Sequence, residues 1–245
     1  MNAYEIDFEF DPRTVHGDLL DIASRTLTGR ERPAGIHLGH VINYMECKLG
    51  KYGKKRKANI SQAMIESTSP DVNPHPKYNY FEMGFVWETL IELIMKLRQG
   101  ARYRQGVLRQ ISVRRQGIWM TPDGLDTTAW RLQETKATWR SMNKVYQGSG
   151  IDNPADLVGA LQANFWSWTV QLMAYCRAVE CTEADLFVFW VNGDYGDFDR
   201  VPIPKWYRIG FDEEELEENW GMVMANARAM AVEHQLKFDE TQEEG

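Results

Sequence analysis

Asp123, Glu134 and Lys136 are the residues whose types and spacing suit one kind of chemistry. Asp123 lies in the turn signal Pro122-Asp123-Gly124, directly after the strand-like run GIWMT, residues 117–121. Glu134 follows 11 residues later within TAWRLQETKATW, residues 128–139, whose apolar alternation predicts a half-buried strand. Side chains alternate along a strand, so Glu134 and Lys136 project from one face and Thr135 from the other. The backbone carbonyl of Thr135 is a further candidate oxygen donor. One carboxylate at a strand end and another on the neighbouring strand make an oxygen site for a hard divalent cation such as Mg2+, which takes one or two carboxylates plus waters. A cation so held brings the pKa of its water toward neutrality. A lysine beside it can orient or help deprotonate that water and offset charge on a pentavalent phosphate. This set suits hydrolysis of a phosphodiester.

The elements that must position these residues can be outlined from periodicity. Ile36, Val41, Ile42 and Met45 predict a helix within residues 36–50. Residues 67–80, rich in Pro, Asn and Ser, read as a loop, and FEMGFVWETLIELIMKLRQG as a long, mostly buried helix closing near Gly100. After the two central strands, Asn153-Pro154 and Asp156 mark the start of a helix running to about Glu180. ADLFVFWVN then reads as a buried strand, NGDYGDFD as turns, PKWYRIGF as another strand, and Asp212 opens a helix whose acidic first turn suits the positive end of its dipole. A frayed tail is expected beyond it. The order helix, helix, strand, strand, helix, strand, strand, helix predicts a mixed sheet with helices packed on it, an α/β (α+β) fold.

Composition narrows the function classes. With 245 residues, 43% hydrophobic and 26% charged, the chain has the make-up of a globular protein with one sizeable core. Its longest apolar stretches, such as Leu186 to Val191, are far short of a bilayer span, and the acidic beginning MNAYEIDFEFDP has no apolar signal core, so a cytoplasmic protein is expected. Cys47, Cys176 and Cys181 form no CxxC pair and are expected to be ordinary core or surface thiols. His16, His37, His40, His75 and His234 show no zinc-ligand spacing, and nothing points to a serine or zinc hydrolase. The net charge of −7 is unevenly spread: residues 211–245 carry eleven acids and two bases. Between Lys96 and Arg115 lie seven bases and no acid, among them Arg102, Arg104, Arg114 and Arg115, and Lys51, Lys54, Lys55, Arg56 and Lys57 cluster upstream. Basic segments of this kind are either solvated faces or footprints for a phosphate backbone.

The run TPDGLDTTAWRLQETKA, Thr121 to Ala137, resembles motifs II and III of the PD-(D/E)XK nuclease superfamily. It is most similar to the phage-type (lambda-exonuclease-like) and RecB-like branch. Gly84-Phe85-Val86-Trp87-Glu88 is similar to the GxxxE motif that precedes the sheet there, with Glu92 one turn later as a rival acid. Gln171 and Tyr175, four apart on one helix face, are similar to the QxxxY motif that holds DNA near the metal. The resemblance implies a single restriction-endonuclease-like nuclease domain over 1–245. Its parts are an N-terminal helical and loop region (1–80), a catalytic core (81–211), and an acidic C-terminal helix and tail (212–245). It implies catalytic Glu88, Asp123, Glu134 and Lys136, with Glu88, Asp123, Glu134 and the Thr135 carbonyl on Mg2+, for which Mn2+ substitutes. DNA contacts would come from Gln171, Tyr175, Arg102, Arg104, Arg114 and Arg115. The implied activity is a DNA exonuclease acting on duplex ends, 5′ to 3′, in phage-type recombination or DNA processing. The implied partners are DNA and a single-strand annealing protein, with a homo-oligomer frequent among relatives, no membrane, and a bacterial host cytoplasm if phage-encoded. The four-cysteine iron–sulfur cluster of some RecB-like enzymes is not expected from three scattered cysteines. An endonuclease and a catalytically inactive DNA-binding or interaction module are the alternatives. The acidic C-terminal region is expected to solubilise the protein, shape a channel rim, mimic DNA or contact a partner.

Overall fold

The computed structural model describes residues 1–6, 33–50, 58, 60–67, 107–109, 111–142, 145, 157–191 and 203–243. The helix expected over 81–100, with Gly84, Glu88 and Glu92, lies outside the described residues. So do Lys51–Lys57, most of the 67–80 loop, Arg102, Arg104, Asn153–Asp156 and the turn segment from Asn192.

The described residues form nine strands and five helices. The strands are β1 (Asn2–Ile6), β2 (Ile36–His37), β3 (Val107–Arg109), β4 (Val113–Arg115), β5 (Ile118–Met120), β6 (Gly124–Asp126), β7 (Arg131–Thr138), β8 (Glu183–Trp190) and β9 (Ile203–Gly210). The helices are α1 (Leu38–Leu49), α2 (Gln62–Glu66), α3 (Leu157–Asn164), α4 (Trp166–Val179) and α5 (Glu213–His234). Six strands build the main sheet in the order β1-β9-β8-β7-β6-β3, and β2-β5-β4 form a smaller one. Both are mixed: β7 and β8 run parallel in the first and β2 and β5 in the second, the other pairs being antiparallel. The fold is α+β, two mixed sheets with helices against them, as expected, although the expectation was a single sheet.

Parallel neighbours require a crossover, and α3 and α4 provide it between β7 and β8. On β8, Ala184, Leu186, Val188 and Trp190 face the main core, while Phe187, Phe189 and Val191 turn to the opposite face with Trp206. The parallel register pairs Leu132 with Ala184 and Lys136 with Val188. Leu132, Glu134 and Lys136 therefore share the face covered by α4. Against that face α4 buries Val170, Leu172, Ala174 and Cys176, α5 adds Leu216, Trp220 and Val223, and α1 adds Val41 and Met45. The other face holds a buried ion pair, Arg208 to Asp185 at 2.8 and 3.2 Å, beside Gln133, whose amide has no hydrogen-bond partner among the described residues.

Three expectations are revised. The helix expected up to Glu180 breaks at Phe165, whose φ of −135° and ψ of 43° are not helical. Its ring leaves the helix line to stack on Trp168 and meet Trp190 edge-on. The turn after Asp123 is not a simple connection, because β6 intervenes and pairs antiparallel with β7, Gly124 opposite Gln133. The tail beyond α5 is docked as far as the chain is described. The Gly117 N–H donates to the Gln242 carbonyl at 2.9 Å and Arg228 forks onto Glu240. At Gly117 (φ 78°) a Cβ would stand 2.4 Å from the Asp239 carbonyl oxygen, so only glycine admits the tail there. The capping box at the start of α5, between Asp212 and Glu215, agrees with the sequence reading.

The C-terminal end of α4 explains two cysteines. Glu180 adopts the left-handed conformation (φ 57°) and the Cys181 N–H caps the Cys176 carbonyl at 3.0 Å, which folds the two thiols toward each other. Cys47, Cys176 and Cys181 are all free and buried. Among the described residues no helix is long and apolar enough to cross a membrane.

Candidate active site

The β6–β7 hairpin places Asp123 one residue before β6, level with Glu134 on β7. Each acid is held by a backbone N–H from the opposite arm of the hairpin. The Asp123 N–H donates to Glu134 Oε2 at 3.3 Å, and the Thr135 N–H donates to Asp123 Oδ2 at 2.7 Å. Because β6 begins only at Gly124, β7 beyond Gln133 turns its edge groups to Asp123 instead of to a ladder partner. In an extended strand a residue's N–H and C=O point to the same side. The Thr135 carbonyl therefore points to the side where Asp123 lies.

Lys136 completes the group from the same face. Its Nζ donates to Glu134 Oε1 at 2.7 Å and to Gln171 Oε1 at 2.8 Å. Gln171 Nε2 then donates to the Tyr175 hydroxyl at 2.7 Å. An ammonium has donors only, so it fixes the way round of the Gln171 amide and makes Tyr175 the acceptor. The chain Asp123–Glu134–Lys136–Gln171–Tyr175 thus runs from the hairpin onto α4. Gln171 and Tyr175, expected to help hold DNA near the metal, are hydrogen-bonded in line with Lys136. Their four-residue spacing was the available signal, but the identity of the partner depends on α4 lying across β7.

Glu134 is 3% exposed, and its carboxyl is pushed up from the ordinary range to about 7. Burial is the main cause, and the charge of Asp123 adds to it; Lys136 and the Asp123 N–H pull the other way. Two acids meeting under a helix therefore lack full compensation from the protein. Their oxygens and the Thr135 carbonyl form a hard donor set, and a carboxylate accepting two hydrogen bonds keeps lone pairs for a further ligand. These residues fit a divalent cation. Among the described residues no group of three or more His, Cys, Asp or Glu side chains gathers; Glu88, the third expected acid, lies outside them.

The basic residues fall elsewhere. Arg115 donates to the Arg177 carbonyl at 3.0 Å and pairs with Glu180 at 3.3 Å, at the C-terminal end of α4. Arg114 lies over the Trp119 ring at 5.3 Å. The structure does not bring either beside the carboxylates.

No protein-family model matches the chain, and no curated protein matches it. Among solved structures, that of SSO0001 is similar with a TM-score of 0.38 at 9% identity, over 89% of this chain and 86% of that one. A phage-related exonuclease from Haemophilus somnus 129PT is similar with a TM-score of 0.42 at 12% identity, over 76% of this chain and 77% of that one. At such scores neither likeness bears on function, so the site has to be read from its own residues.

Proposed function

We propose that the chain is a Mg2+-dependent deoxyribonuclease, an exonuclease hydrolysing phosphodiester bonds at duplex DNA ends. The observation that carries this reading is the hydrogen-bonded set of two carboxylates and a lysine, with Glu134 shared between the Asp123 N–H and Lys136 Nζ. Asp123, Glu134 and the Thr135 carbonyl would hold the cation, and Glu88 is the proposed third acid. A divalent cation bound there supplies neutralising charge and a water acidic enough to give hydroxide near neutral pH. Lys136, fixed by Glu134 and Gln171, orients the attacking water and offsets charge gathering on the phosphate. Gln171 acts as a positioning residue for that ammonium, and Tyr175 as one for Gln171. The 5′ to 3′ direction, a role in phage-type recombination and an annealing-protein partner belong to the same proposal through the motif resemblance alone.

The test is a gel assay of linear and closed circular DNA with and without Mg2+. Shortening of the linear form alone is the expected result. Nicking of circles would replace the exonuclease with an endonuclease, and no cleavage of either form would overturn the reading.

A further inference from the structure

The turn that ends α4 brings two thiols together, and the chemistry proposed for the carboxylates uses neither. A helix that closes on a left-handed residue bonds the N–H just beyond that residue to a carbonyl five positions back, and the side chains at the two ends of this closure meet. Here Glu180 is the left-handed residue and the Cys181 N–H donates to the Cys176 carbonyl at 3.0 Å. The two meeting side chains, commonly an apolar pair, are both cysteine. Their thiols hydrogen-bond to each other. Each also reaches the Glu183 carbonyl, Cys176 Sγ at 3.8 Å and Cys181 Sγ at 3.5 Å. The turn is fixed from outside as well. Arg115 donates to the Arg177 carbonyl at 3.0 Å and to Glu180 Oε1 at 3.3 Å, and Trp130 Nε1 donates to the Glu180 carbonyl at 3.1 Å. Two cysteines can bridge without backbone movement only where their backbones already stand close, and this closure supplies that.

We propose that Cys176 and Cys181 are a redox-active dithiol, which hydrogen peroxide converts to a disulfide that locks the last turn of α4. Nothing in this depends on the nuclease reading. The two thiols are unlike, which assigns their roles. Cys176 is fully buried, and burial pushes its thiol well above the usual range. Cys181 is 3% exposed and is the outer of the two. The hydrogen bond from Cys176 holds it below the usual range, and the backbone at Leu132 and Glu183 acts the same way, against burial. Cys181 is therefore the nucleophile. Helix ends open more readily than helix middles, and peroxide is little larger than water, so the oxidant can reach it there. The Cys181 thiolate attacks one peroxide oxygen, forming an S–O bond and breaking the O–O bond. Hydroxide leaves and takes up the proton that Cys181 gave up, as water. The Cys176 sulfur then attacks the Cys181 sulfur; the S–S bond forms, the S–O bond breaks, and a second water leaves with the Cys176 proton. Two thiols are oxidised, one peroxide is reduced to two waters, and a small dithiol reverses the bond by exchange.

The experiment treats the reduced full-length chain with hydrogen peroxide in EDTA, alkylates the remaining thiols and maps the tryptic peptides by mass. Trypsin cuts after Arg177, so the bridge joins two peptides and is identified by their summed mass less two hydrogens. The expected result is a Cys176–Cys181 disulfide that dithiothreitol reverses. Cys47, whose thiol donates to Asn43 Oδ1, should remain alkylatable. Amide exchange followed by mass spectrometry should slow about 10-fold over residues 176–181 on oxidation, because opening of the last turn is then opposed by a covalent bond. Cys176→Ala leaves Cys181 without a resolving thiol, so peroxide should give a sulfenic acid there that dimedone labels. Cys181→Ala should slow loss of the Cys176 thiol by about 10-fold or more. The peptide map of the wild type needs neither variant to fold. Both thiols surviving peroxide, a bridge through Cys47, or sulfinic acid on Cys181 with no bridge would each overturn the dithiol. Unchanged exchange in the bridged protein would overturn the lock, and dimedone labelling at Cys176 in Cys181→Ala at the rate of Cys181 would overturn the assigned roles.

Discussion

Replacing Glu134 with Gln should favour the variant progressively over wild type as pH rises through neutral in the absence of metal, an unusual trend for a buried charged residue with two hydrogen bonds. The carboxyl moves from an ordinary 4.5 to about 7 on folding. Between those values the folded state holds more protons than the unfolded one, so stability falls as pH rises. Glu134 thus contributes least above the folded value, where the acid must ionise under α4 beside Asp123. At about 1.36 kcal/mol per pH unit, the raised value corresponds to about 3 kcal/mol lost between pH 4 and pH 8. A carboxamide does not titrate, so the difference in stability between Glu134→Gln and wild type should grow by about 3 kcal/mol over that interval. For a chain of this size, about 1 kcal/mol moves the melting temperature by roughly 2–4 °C, giving a relative gain of roughly 6–12 °C. Thermal or urea unfolding of both proteins in EDTA at several pH values is the assay, and taking the difference removes the titration of groups that do not interact with Glu134. Added Mg2+ should stabilise wild type at pH 8 and leave Glu134→Gln nearly unmoved. A difference independent of pH would refute the reasoning, because it would mean that burial and Asp123 do not oppose the charge on Glu134.

Other outcomes follow from the same geometry. Asp123→Asn and Glu134→Gln should each reduce Mg2+-dependent DNA cleavage by about 10^3-fold or more while circular dichroism stays unchanged, and full activity in both would remove the site assignment. Lys136→Ala should lower the single-turnover rate by about 10^2- to 10^3-fold with Mg2+ affinity, measured by calorimetry, little altered. Tyr175→Phe removes the acceptor of Gln171, worth about 1 kcal/mol, so cleavage should fall about 5-fold with binding of DNA unchanged. On the opposite face Gln133→Met replaces an amide without a partner among the described residues. It should raise stability in urea unfolding by about 1 kcal/mol and leave cleavage alone.

The parts of the site most legible in the sequence were those governed by strand period. Glu134 and Lys136 had to share a face once residues 131–138 formed a strand, and they do. Asp123 was legible as a turn residue, but β6 was not, since three residues carry too little pattern to distinguish a strand from a turn. The same limit hid β3 and β4. Gln171 and Tyr175 were recognisable as a pair, yet their orientation toward Lys136 follows from the crossover of α4 over β7, a tertiary relation with no local signal. Phe165 broke a helix that propensity would continue, and its ring stacks on Trp168 and meets Trp190 edge-on, contacts with no local sequence signal. The docked tail depends on Gly117, more than a hundred residues away, which no window of sequence connects to it.

The β6–β7 hairpin has a consequence for the order of assembly. It joins Asp123 and Glu134 through one short turn, while β8, the parallel neighbour of β7, arrives only after α3 and α4 have crossed the sheet. Local pairing closes before distant pairing because a short loop loses less entropy. In a solvated hairpin the two acids repel weakly, since water screens them. Their repulsion becomes large only when α4 descends and brings Gln171 to Lys136. The tension in the site therefore falls on the latest contact to form, which makes the helix closing over β7 the natural place for the protein to loosen first.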